Sequence, residues 1–276
     1  MYKKVLAKAL DYTRPFLIGR LFYEDRLVSN DISTMIVLNK NGDILTTAHN
    51  ADIFFATNDY NETYPPILKE ISEAKPSNVR IIEEKYGIKK DTIVGLQNII
   101  VDIANNIGKI NIIKHKYLDL ALVTFTNKED ILVKGYPTFA KNPVVPGESI
   151  CTLGFAFPEY RAFKYDEENF KLISNYEFMN FPIFPTEGIM CRNIADKENN
   201  ISMFEMSNLI ISGQEGGPVL DTKGNIKGMI IGHRIVNDVG GPIKIGIAIN
   251  TTTIREFLDE NNIEYEVEKW KRKHFI

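Results

Sequence analysis

Short apolar runs, each broken within a few positions by glycine, proline or a polar pair, set the pattern of this chain. The stretch "STMIVLNKNGDILTTAHN", residues 33–50, holds two β-rich runs around Asn41-Gly42-Asp43, which is the signature of a hairpin. The stretch "KINIIKHKYLDLALVTF" gives two more strands around a polar loop. "PVVPGESICTLGFAF", "PTEGIMCRNI", "PVLDTKGNIKGMIIGHRIV" and "PIKIGIAIN" continue the series, with a second hairpin at Lys223-Gly224-Asn225. Many short strands with this punctuation predict an all-β sandwich or barrel.

Three segments depart from the strand pattern. Val5, Leu6, Ala9 and Leu10 have the spacing of one short amphipathic helix. Within 65–105, "PPILKEISEAK" and "NVRIIEEKYGI" are helical in period, while "DTIVGLQNIIVDI" suits helix or strand. "NTTTIREFLDENN" predicts a helix whose capping Asn or Thr precedes Ile254, Phe257 and Leu258 on one face. The proline-bearing stretch 127–147 reads as a connection between two strand-rich halves. The expected organisation is an extension over 1–18, a first half over 19–130 with a helical insertion at 65–105, a connection at 131–146, a second half over 147–250, and a closing helix and tail over 251–276.

The chain has 276 residues, enough for two cores, and its 44% hydrophobic and 25% charged residues fit a globular protein. A net charge of −3 supplies no global field for nucleic acid or an acidic membrane, so neither is expected as a partner. No run approaches the ~18 apolar residues of a membrane span. The N-terminal apolar run is interrupted at Lys8 and lacks a secretory core, so the expected location is cytoplasmic. Cys151 and Cys191 lack CxxC partners, which argues against zinc; two free, buried thiols are expected, with a cross-strand disulfide as the minority reading. No metal or cofactor is expected.

Three motifs then occur in a fixed order: "ILTTAHN" with His49, "YLDLALVTF" with Asp119, and "SGQEGGPVLD" with Glu215. They resemble the "VLTAAHC", "DIALL" and "GDSGGPL" strings of the trypsin-like, chymotrypsin-fold serine proteases. "IGIAINTTTIREFLDEN" and "TLGFAFPE" are similar to segments of the bacterial Deg (high-temperature-requirement) branch. The resemblance covers roughly residues 30 to 262. It implies two packed antiparallel β-barrels with a peptide-binding cleft between them. It also implies His49 as general base and Asp119 as the group that orients it. Gly213 and Glu215 would offer backbone N–H groups to an oxyanion. Leu209, Ile231, Gly232 and His233 would line the substrate pocket, with His233 at its rim. Taken singly, each motif is an ordinary turn or strand end; their order carries the resemblance.

The family's serine position falls on Glu215. A carboxylate attacking an amide would form an anhydride, more reactive than the bond it replaced, and its longer side chain intrudes where the scissile carbonyl must lie. Removing a catalytic serine costs about 10⁶ in turnover. Ser212 and Ser207 are turn hydroxyls on this reading and do not substitute. His49, Asp119 and Glu215 would not converge on a metal, because in this family the aspartate sits behind the imidazole. The expectation is a pseudoprotease that binds a peptide or protein in the cleft. The alternative is an active serine endopeptidase whose serine was replaced in this particular chain. His115 is expected as a solvated loop residue, and Trp270, Phe275 and Ile276 in the tail as docking groups. A PDZ-like domain of the kind Deg proteases usually carry is not expected after the closing helix.

Overall fold

A computed structural model of the chain describes residues 1–126, 128–156, 161–174, 181–195 and 200–269. The tail groups Trp270, Phe275 and Ile276 lie outside the described residues. In chain order the elements begin with α1 (Lys3–Ala9), β1 (Thr13–Phe22), β2 (Val28–Val37), β3 (Ile44–Thr46), α2 (Ala48–Glu73) and α3 (Pro76–Tyr86). There follow β4 (Ile93–Ile100), β5 (Ala104–Ile107), β6 (Ile110–Lys114), β7 (Ala121–Phe125), β8 (Lys128–Ile131) and β9 (Thr138–Phe139). The second half holds β10 (Ser149–Thr152), β11 (Phe163–Asp166), β12 (Lys171–Ser174), β13 (Thr186–Ala195) and β14 (Ile201–Met206). It ends with β15 (Pro218–Leu220), β16 (Ile226–Asp238), β17 (Gly241–Asn250), α4 (Thr251–Glu260) and β18 (Glu266–Val267).

Two sheets carry the fold. The first runs β4-β1-β2-β3-β7-β6 and forms a half-barrel. The second runs β15-β10-β13-β14-β17-β16, and pairing of β15 with β16 closes it into a six-stranded barrel. One apolar cluster spans both sheets: Phe16, Ile36 and Leu122 enter it from the first, and Leu153, Met229 and Ile249 from the second, whose interior holds a separate cluster around Met190, Phe204 and Ile230. Ile254, Phe257 and Leu258 of α4 seal the shared cluster, and burial of each contributes about 1.5–3 kcal/mol. The α4 cap is Asn250, whose side chain accepts the Thr253 N–H at 2.9 Å. No helix is long and apolar enough to cross a membrane, among the described residues.

The insertion differs from its expected span of 65–105. Helix α2 starts at Ala48 and runs 26 residues, through Pro65 and Pro66. Prolines ordinarily open a helix, which put the sequence reading seventeen or so residues too late. The residues before them, rich in Asn, Asp and Thr, are weak helix formers. Packing overrides that preference: Ala51, Phe54 and Thr57 recur every three residues on the buried face, and Phe54 stacks on Phe16 at 4.8 Å. The ambiguous stretch 93–100 is strand, paired with β1 from Phe16↔Ile100 to Phe22↔Ile93. Strand β1 itself begins at Thr13, inside the span expected as an extension. Pro15 is tolerated there because pairing with β4 starts one residue later, at Phe16.

The two cysteines separate. Cys151 is buried and Cys191 is exposed, and both are free thiols. The expectation of two buried thiols therefore fails for Cys191. Met190 points into the barrel, and Cys191, in the β-bulge between Met190 and Arg192, is turned out of it.

Candidate active site

His49 occupies the first turn of α2, directly after β3. Asp119 lies in the loop before β7, and Glu215 in the turn before β15. Three different elements therefore bring one residue each to the same place. The Nδ1 of His49 is 2.7 Å from Asp119 Oδ2, and its Nε2 is 3.1 Å from Glu215 Oε2. The imidazole thus lies between two carboxylates. Asp119 does a second job: its Oδ1 accepts the backbone N–H of His49 at 3.0 Å. The α2 N-terminus has no cap from its own Thr47 side chain, so Asp119 satisfies it through space.

The electrostatics follow from this geometry. The hydrogen bond to Asp119, then the one to Glu215, raise the pKa of His49 from 6.5 to about 9, against the opposing effect of burial. Burial works against the Asp119 charge, yet hydrogen bonds from His49 hold its pKa below the ordinary value. At neutral pH the imidazole is therefore a cation between two anions. Among the described residues no cluster of three or more metal-ligating side chains is arranged to hold an ion.

The Glu215 turn is fixed by close approach. Gly213 and Gly216 have φ of 101° and 86°, where glycine is favoured, and a Cβ on Gly216 would overlap the Thr34 carbonyl oxygen. Thr34 Oγ1 donates to Gly213 O at 2.7 Å. Gln214 is fully buried and donates to Phe184 O at 2.7 Å. Glu215 O accepts from Thr34 N at 3.0 Å and Ser33 Oγ at 2.9 Å. Asn50, one residue past His49, donates to the same Ser33 hydroxyl at 2.5 Å. Asn50 and Ser33 thus tie the helix to the turn, while Thr34 and Gln214 anchor the turn to β2 and to Phe184. The buried Ser-Thr pair inside an apolar β2 run was their one signal in the sequence. Among the described residues, neither Gly213 N–H nor Glu215 N–H donates to another backbone carbonyl.

The remaining expected residues are placed as follows. Gly232 is buried, and a Cβ there would stand 3.3 Å from Glu215 Oε1, so this glycine faces the site. Ile231 is half-buried at an irregularity between Ile230 and Gly232, and His233 is exposed. Leu209 is 52% exposed after β14, with its carbonyl held by Thr186 Oγ1 at 3.1 Å. His115 is not merely solvated. Its Nδ1 accepts from Tyr117 N at 3.2 Å and Leu118 N at 3.1 Å, and its ring meets Phe257 edge-on at 5.4 Å. It therefore shapes the loop that presents Asp119.

This arrangement of barrels has a counterpart among solved structures. The active form of the Rv3671c protease from M. tuberculosis matches with a TM-score of 0.50 at 14% identity, over 96% of this chain and 86% of that one. The fold is that of the trypsin-like serine proteases. An inactive form of the same M. tuberculosis protease matches with a TM-score of 0.48 at 12% identity, over 93% of this chain and 92% of that one. No protein-family profile and no curated protein sequence matches the chain. On the trypsin-like fold the long α2–α3 hairpin is carried by the His49 helix itself, so the insertion and the site share one element.

Proposed function

We propose that the chain is a pseudoprotease: a trypsin-like scaffold that binds a peptide or protein segment in the groove beside His49 and Glu215. The contact that carries this reading is Glu215 Oε2 on His49 Nε2 at 3.1 Å. A general base must hold a free lone pair where the nucleophile's proton arrives. Here that nitrogen faces a carboxylate, and the imidazole is protonated at neutral pH. Glu215 is itself a poor acyl carrier. Two free cysteines suit a reducing, cytoplasmic setting.

The test is serine-directed fluorophosphonate labelling together with digestion of an unfolded protein substrate. The unaltered chain is expected to do neither, and Glu215→Ser to gain labelling because the glycine turn is held by packing. Robust proteolysis by the unaltered chain that His49→Ala abolishes would overturn the reading.

A further inference from the structure

An ionic cluster outside the His49 site lies on the second barrel, the one that also carries Glu215. Glu205 of β14 is an outward-facing carboxylate whose side chain is nevertheless only 4% exposed. Arg192 of β13 covers it from one side, with Nε to Oε2 at 2.6 Å and Nη2 to Oε1 at 3.1 Å. Arg234 of β16 covers it from the other, through Nε to Oε1. The arginines themselves remain 63% and 40% exposed. The hydrogen bond from Arg192, opposed by burial and aided by Arg234, lowers the Glu205 pKa to about 2, so the carboxylate stays charged.

The register places this cluster relative to Glu215. Arg192 is opposite Glu205, Glu205 opposite Ile247, and Ile247 opposite Gly232. Directly opposed residues share a sheet face, so the cluster shares a face with Gly232. Arg234 is two residues beyond Gly232 on that face, roughly 7 Å along the strand. Gly232 in turn borders Glu215.

Two guanidiniums on one carboxylate leave a net positive charge at the surface of a chain whose overall charge is −3. An ion cluster with a buried member is weak evidence of stability, since apolar packing serves as well. What the buried carboxylate does supply is orientation. It engages Nε of Arg234, and Nε and Nη2 of Arg192, out of five donors on each, and fixes both planes. We propose that Arg192 and Arg234, held by Glu205, form a ledge that receives an acidic side chain of a peptide lying along Ile231–His233. This rests on the peptide-binding reading of the groove and names the chemistry it selects.

The probes are a short fluorescent oligoglutamate and the matched oligoglutamine, titrated into the full chain by anisotropy. A preference for oligoglutamate of about fivefold is expected at low salt, as for half-exposed ion pairs, shrinking as salt rises. R192Q and R234Q are expected to remove it. R234K keeps the charge but loses the planar fork, and is expected to lose most of the preference. E205Q adds net positive charge yet is expected to weaken binding, because the guanidiniums are no longer held. Equal affinity for the two peptides, or a preference that survives R234Q or is undiminished in R234K, would overturn the ledge. Amide shifts at Ile231 and Gly232 separate the two readings. Shifts there with no glutamate preference reject the ledge alone. A preference that needs both arginines, without shifts there, keeps the arginine pair as an acid-binding site but overturns its place beside a peptide on Ile231–His233.

Discussion

Replacing Glu215 by Gln keeps the shape of the side chain and removes one of the two charges that hold His49. The hydrogen bond to Asp119 makes the larger contribution to the raised pKa, and Glu215 the next. The variant is therefore expected to titrate between the ordinary 6.5 and the value of about 9 in the unaltered chain. The sign for stability is fixed by the direction. A histidine pKa raised on folding contributes stability fully present below the unfolded value, near 6.5, and lost as pH rises through about 9. At about 1.4 kcal/mol per pH unit, the whole rise converts to about 3 kcal/mol. His49 is 50% exposed, so solvent screening reduces this to about 1–2 kcal/mol for both carboxylates together.

Urea unfolding reads the effect directly. With a slope near 3 kcal/mol/M for a chain of this size, the His49 contribution amounts to about 0.5 M in midpoint. The unaltered chain is expected to exceed E215Q by part of this at about pH 6, and the gap to close towards about pH 10. A histidine-resolved NMR titration measures the cause. If His49 titrates at the same pH in both proteins, Glu215 is not engaged with it and the physical account of the site is wrong.

Two further outcomes follow from the backbone and the thiols. Gly216→Ala is expected to cost well over ~1 kcal/mol in denaturant unfolding, because φ is 86° and the new methyl overlaps the Thr34 carbonyl; an unchanged midpoint would mean that the turn is not packed on β2 as described. In the native chain Cys191 is expected to react with a thiol reagent well before Cys151, which is buried and whose pKa burial, then Glu187, pushes up to about 11; mass-mapped labelling at equal rates would contradict the assigned strand faces.

What could be read in the sequence divides along physical lines. Strands bounded by Gly and Pro were legible, as were the hairpins at Gly42 and Gly224, both at positive φ. The α4 helix was legible because cap and apolar face agree. The start of α2 was not, since its early residues are poor helix formers and only contact with the first sheet decides their state. His49, Asp119 and Glu215 could be proposed because each sits in a string with its own local pattern. Asn50, Ser33 and the Arg192–Glu205–Arg234 cluster could not. Their partners are distant in sequence, and the cluster exists only once the registers of four strands are known.

The form of the "EGGP" turn has a cause in packing. Gly216 lies against the Thr34 carbonyl of the first sheet, and Gly217 against the Leu153 carbonyl of the second, with no room for a Cβ at either. Gly216 N–H donates to Ile230 O at 2.8 Å, and Gly217 O accepts from Ile230 N at 2.9 Å. These contacts seat the turn between the two sheets whatever side chain residue 215 bears. The glycines therefore answer to the docking of the sheets, and residue 215 alone answers to chemistry. A match to such a string reports the fold with force and the activity hardly at all. The side chain at 215, and the groups it touches, are where function must be argued.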